Sequence, residues 1–132
     1  MQKEKTITVQ ELPISTGECD YGPQIQYTLG ECIIKYDYES ESGIKWVTII
    51  WNTALAIKTI PSTSISNFHL AGYNKISKVE NSNWLKSLSY ISNTRHESLG
   101  NGLSHYLIYF DHECSIEIIA KSFKVIPIPV KD

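Results

Sequence analysis

The tetrapeptide Asp111-His112-Glu113-Cys114 sets an acid, a base and a nucleophile side by side. Those residue types carry hydrolysis or group transfer when a thiolate pairs with an imidazole. A working Cys–His pair, however, is normally assembled from distant parts of a chain. Here the four residues lie between two strongly apolar runs and read as a hairpin turn. Four adjacent side chains also cannot converge on one metal ion. Of the other histidines, His105 opens a strand and shares a face with Leu107 and Tyr109, whereas His69 and His96 have no acid or nucleophile at a telling spacing. The chain has no nucleophile elbow, phosphate-binding loop, dinucleotide fingerprint or His-Glu-x-x-His. Gly100-Asn101-Gly102 is a turn, since no strand feeds it and no helix follows it. The expectation is a protein that is not an enzyme, with no catalytic residue, metal or cofactor. A hydrolase or transferase using Cys114 or His112 stands as the least favoured alternative.

Charge gives a stronger lead. Residues 11–41 hold seven acids (Glu11, Glu18, Asp20, Glu31, Asp37, Glu39, Glu41) against Lys35 alone, while residues 42–110 hold six bases and two acids. The formal net charge of −2 therefore conceals a chain polarised by segment. Along 31–41 side chains alternate between faces. Glu31, Ile33, Lys35, Asp37, Glu39 and Glu41 fall on one face, and Cys32, Ile34, Tyr36 and Tyr38 on the other. Crowded like charges are unfavourable unless a basic partner relieves them, and their field speeds that partner's capture. The competing reading is a solvated face kept for solubility or to block edge pairing. The candidate partner-binding residues are Glu31, Asp37, Glu39 and Glu41, with Tyr38 as a nearby anchor even though alternation puts it on the opposite face.

Both faces of the run at 44–51 are apolar, with Trp46 beside Ile44, Thr48 and Ile50, and Trp51 beside Val47 and Ile49. Such a strand is covered on both sides or offers one to a ligand or partner. That keeps open a second function: a small-molecule domain whose pocket lies between Trp46, Trp51 and a helix.

These residues need elements to hold them. At 132 residues the chain is the size of one domain, 1–132. Its 42% hydrophobic content suffices for a core. A pI near 6.1 argues against a general nucleic-acid binder. No apolar run approaches membrane-spanning length, and the first ten residues lack the apolar core of a signal peptide, so the expected location is cytoplasmic. Cys19, Cys32 and Cys114 are too widely spaced for a disulfide framework or a zinc site. Period-2 alternation predicts strands at 5–12, about 24–38, 44–51, 53–60, 105–110 and 115–126, with a hairpin joining 31–38 to 44–51. Residues 13–23 read as loop, 68–79 are ambiguous, and Pro127 and Pro129 end the last strand. One helix is predicted at 82–93, capped by Asn81 or Ser82. Trp84, Leu88 and Ile91 lie on one of its faces, and Trp84 is expected to tie it into the core. The fold class predicted is α+β: a mainly antiparallel sheet with one principal helix.

From Tyr73 to Val125 the chain resembles small bacterial immunity proteins of polymorphic and contact-dependent toxin systems. The resemblance is carried by Tyr73, the run Val79-Glu80-Asn81-Ser82-Asn83-Trp84-Leu85, the strand His105-Tyr106-Leu107-Ile108-Tyr109-Phe110-Asp111 and the strand Ile116-Glu117-Ile118-Ile119-Ala120. After Asp111 the sequence departs from the pattern, with His112, Glu113 and Cys114 where a second acid and a glycine are expected. The resemblance implies a protein that binds and blocks a cognate toxin domain in the producing cell, without catalytic residues, nucleic-acid contact or membrane contact. A basic, nuclease-type toxin would suit the carboxylates, which can occupy a phosphate-binding cleft.

Overall fold

β-Branched and aromatic residues alternate through most of the chain, and that pattern fills a pleated surface better than a helix. The computed structural model describes residues 3–28, 30–92 and 102–128, the side chains of 89–92 excepted. The strands are β1 (Lys5–Glu11), β2 (Gln24–Thr28), β3 (Glu31–Ser40), β4 (Gly43–Asn52), β5 (Ala56–Pro61), β6 (Lys75–Glu80), β7 (Ser104–Phe110), β8 (Cys114–Ala120) and β9 (Ser122–Val125). They pair antiparallel into two sheets, ordered β1-β6-β7-β8-β5 and β2-β3-β4-β9.

The α+β class with a principal helix is therefore corrected. Of the described residues 56% are in strands and 14% are helical, and the core lies mainly between the two sheets. Helix α1 (Asn83–Ser92) lies outside them. Trp84, Leu85 and Leu88 are only half-buried. Trp84 does not enter the core as expected. It meets the His105 ring edge-on at 5.1 Å, and the Lys58 ammonium sits 4.5 Å above it. The Ile91 side chain and residues His96, Gly100, Asn101 and Pro129 lie outside the described residues.

The core is built by facing parities. Ile34, Tyr36, Val47, Ile49 and Trp51 of the four-stranded sheet meet Ile76, Ile108, Phe110, Ile116 and Ile118 of the five-stranded one. Tyr36 packs edge-on against Phe110 at 5.3 Å, and Trp51 lies 5.3 Å from Tyr106. Each such buried side chain contributes roughly 1.5–3 kcal/mol. The β3–β4 hairpin runs from Cys32 opposite Trp51 to Ser40 opposite Gly43, as the alternation predicts. Two predicted strands are each divided. The block 24–38 breaks at Gly30, whose φ of +84° turns β2 into β3. The block 115–126 breaks at Lys121, so that β8 joins one sheet and β9 the other. The ambiguous 68–79 resolves into a 3₁₀ turn, His69–Gly72, followed by β6.

That turn and α1 cover the outer face of the five-stranded sheet. Gly72 permits the contact: a Cβ there would stand 2.8 Å from the Ile108 backbone. Ser77 Oγ donates to the Ala71 carbonyl at 2.6 Å and ties the turn to β6.

Candidate protein-binding surface

Alternation along β3 holds for most of its length. Cys32, Ile34, Tyr36 and Tyr38 face the core, while Glu31, Lys35 and Glu39 are exposed. Asp37 is the exception, with the outward parity but only 1% exposure. Residues 19–22 fold down over it. Its Oδ1 accepts from the amides of Tyr21 and Gly22, both at 2.8 Å, and from the Cys19 thiol at 3.2 Å. Its Oδ2 accepts from the Asp20 amide at 3.0 Å. Burial alone would raise the carboxyl pKa, but the amides of Asp20, Tyr21 and Gly22 and the Cys19 thiol outweigh it and hold Asp37 below the ordinary range. Gly22 allows this close seat, since a Cβ there would meet the Lys35 carbonyl at 3.0 Å and the Trp46 ring at 3.3 Å.

Two expected interface residues are thereby corrected. Asp37 is not a surface anion, because its carboxylate is spent on the loop above it. Tyr38, 6% exposed, is a core residue and cannot anchor a partner. Glu31 is exposed but sits at the far end of β3, eight residues or roughly 26 Å from Glu39. Only Glu39 and Glu41 remain together at one end, both exposed.

That end gathers acids from other segments. The Tyr36 hydroxyl donates to the Ile14 carbonyl at 2.7 Å while its ring packs on Phe110, so the exits of β3 and β7 and the 12–23 segment lie together. Ser15 Oγ and the Thr16 amide both donate to Asn74 Oδ1 at 2.8 Å, which adds the start of β6. Glu11, Glu18, Asp20, Glu39, Glu41, Asp111 and Glu113 therefore occupy one end of the sandwich, with Lys45 and Lys75 beside them among the described residues. Tyr21 stands among them on the loop pinned by Asp37, 69% exposed. The chain matches no family model, no curated protein and no solved structure. Function therefore rests on this geometry and the residues that build it.

The alternative sites fare less well. Asp111 to Glu113 form the β7–β8 turn, where Glu113 N donates to the Phe110 carbonyl. Burial, and then the Glu113 charge, push the Cys114 thiol up, which is the reverse of activation. Trp51 is in the core, Trp46 on the opposite sheet face, and α1 beyond the other sheet, so the three line no common cavity. Among the described residues no cluster has metal-holding geometry.

Sequence reasoning missed a buried polar network on the outer face of the five-stranded sheet. Glu117, 2% exposed, faces His105 Nε2 at 2.7 Å, His69 Nε2 at 3.7 Å and Lys58 Nζ at 3.9 Å. The signal was available in part. Glu117 interrupts the apolar run of β8, and Lys58 directly opposes it on β5. Ser82 Oγ accepts from the Leu85 amide at 3.0 Å as the α1 N-cap, which leaves its hydrogen free to donate to His105 Nδ1 at 2.6 Å. The His69 Nδ1 accepts from the Ser66 amide, so both imidazoles present Nε2–H to Glu117. A serine, a histidine and a carboxylate in line are the components of acyl transfer. Here the hydroxyl is buried and engaged as a helix cap, so the arrangement is a satisfied internal hydrogen-bond network with the Lys58 ammonium at its edge.

Proposed function

We propose that this chain is a protein-binding module that docks a basic protein domain on the acidic end of its sandwich, and that the partner is the toxin domain of a bacterial toxin–immunity pair. The observation that carries the reading is Tyr21, a large aromatic exposed among carboxylates on a loop fixed by four hydrogen bonds. Tyrosine is enriched among residues that dominate binding energy, and a pre-fixed loop loses little entropy on docking. The surrounding acids supply long-range attraction to a cationic partner. The resemblance over residues 73–125 gives the partner class, and the acidic end supports it independently.

The proposed site of action is the cytoplasm. The free thiols of Cys19, Cys32 and Cys114 fit a reducing compartment, and no helix among the described residues is long and apolar enough to cross a membrane. The test is co-expression with candidate basic toxin domains, followed by pull-down. The wild-type chain should protect the cell and co-purify with the toxin. The variant Asp20→Ser/Tyr21→Ala/Glu39→Ser, with its thermal midpoint preserved, should bind at least roughly tenfold more weakly. Undiminished binding by that folded variant would remove the acidic end as the interface.

A further inference from the structure

Beside the acidic loop, Leu70, Tyr73, Tyr109 and Asp111 line a cavity of about 290 Å³. The two tyrosine rings stand 6.1 Å apart between centroids and are inclined by 52°, so they form an open corner rather than a stack. A cation seated in such a corner reaches both ring faces within the ~6 Å over which the ring quadrupole attracts it. Asp111 supplies a counter-charge at the wall. Its Oδ1 accepts the Tyr109 hydroxyl at 3.2 Å, and a carboxylate oxygen retains further capacity to accept. The His112 imidazole approaches Oδ2 at 3.5 Å and is otherwise in solvent. Leu70, half exposed, offers an apolar surface for methylenes.

We propose that this pocket receives the organic cation at the tip of a lysine or arginine side chain. The source of that side chain, a basic partner, rests on the function proposed above, whereas the pocket's own affinity does not. An anion is refused by Asp111, the charged residue of the pocket wall. A neutral apolar ligand would desolvate the carboxylate without offering it a counter-charge, which is costly. Burial raises the Tyr109 phenol, and the Asp111 carboxylate raises it further, so Tyr109 stays a neutral donor that orients the carboxylate. Gly17 helps to shape the corner, because a Cβ there would fall 2.6 Å from the Tyr73 hydroxyl and displace that ring.

The test titrates the whole chain, without any partner, with n-butylammonium, n-butylguanidinium and 1-pentanol while following the tyrosine ring resonances by NMR. Saturable shifts of Tyr73 and Tyr109 are expected with the cations, with 1-pentanol roughly tenfold weaker. Asp111→Asn and Tyr73→Leu should each lower cation affinity by about tenfold, and Gly17→Ala should lower it with every charge kept. A tighter guanidinium assigns an arginine and a tighter ammonium a lysine. Equal binding of 1-pentanol, or unchanged affinity in folded Asp111→Asn and Tyr73→Leu, overturns the proposal. The Asp20→Ser/Tyr21→Ala/Glu39→Ser variant should keep its cation affinity, so loss of toxin binding there and loss of cation binding here are separate results.

Discussion

Asp37 accepts four hydrogen bonds from residues 19–22, so its ionisation and the loop's position are coupled. Its folded carboxyl lies below its unfolded value. Its stabilisation is therefore complete above the unfolded carboxylate pKa, about 4, and is lost as pH falls through the lower folded value. Amide hydrogen exchange at Tyr21 and Gly22 should accelerate relative to the core strands once the pH drops below that range. Asp37→Asn places an amide against backbone donors and should cost about 2–3 kcal/mol at neutral pH, read by denaturant unfolding. Cys114, with its thiol pushed up, should react with a thiol probe at pH 7 more slowly than free cysteine. Parity on β3 is legible in the sequence and correctly separates Tyr36 from Lys35. It cannot show that a loop fifteen residues upstream folds back over Asp37, because that contact depends on tertiary placement.

At the scale of elements, the hairpin β3–β4 and the strands β7 and β8 follow directly from alternation and turn residues. The helix begins where Ser82 signals a cap, but it is peripheral to the core. A capped apolar stripe says that a helix can form, whereas its burial depends on what lies beneath it. Beneath α1 lie His105, Glu117 and Lys58 rather than an apolar sheet face. Ser82→Ala removes both the cap and the donor to His105, and should cost about 1–2 kcal/mol in chemical denaturation. Gly72→Ala forces the 3₁₀ turn away from the β7 backbone. A thermal midpoint lowered by several degrees is expected, corresponding to about 1–3 kcal/mol.

For the whole molecule, the acidic segment at 11–41 was visible in composition, but its three-dimensional meaning was not. Its carboxylates do not form a row along one strand. Glu31 points out at one end, Asp37 is internal, and Glu39 and Glu41 join Glu18, Asp20, Asp111 and Glu113 at the other end. Sheet topology makes that gathering, since the β3–β4 hairpin, the 12–23 segment and the β7–β8 turn all close the same end of the sandwich. A field concentrated there acts on a partner before contact, so it shows most directly in the rate of encounter. The deciding measurement is the association rate constant with a basic toxin domain that the chain captures, followed by stopped-flow fluorescence from about 0.05 to about 0.5 M salt. A fall of at least roughly tenfold across that range, flattened in Asp20→Ser/Tyr21→Ala/Glu39→Ser, is the predicted result. A rate indifferent to salt, or the same slope in that variant, would contradict it.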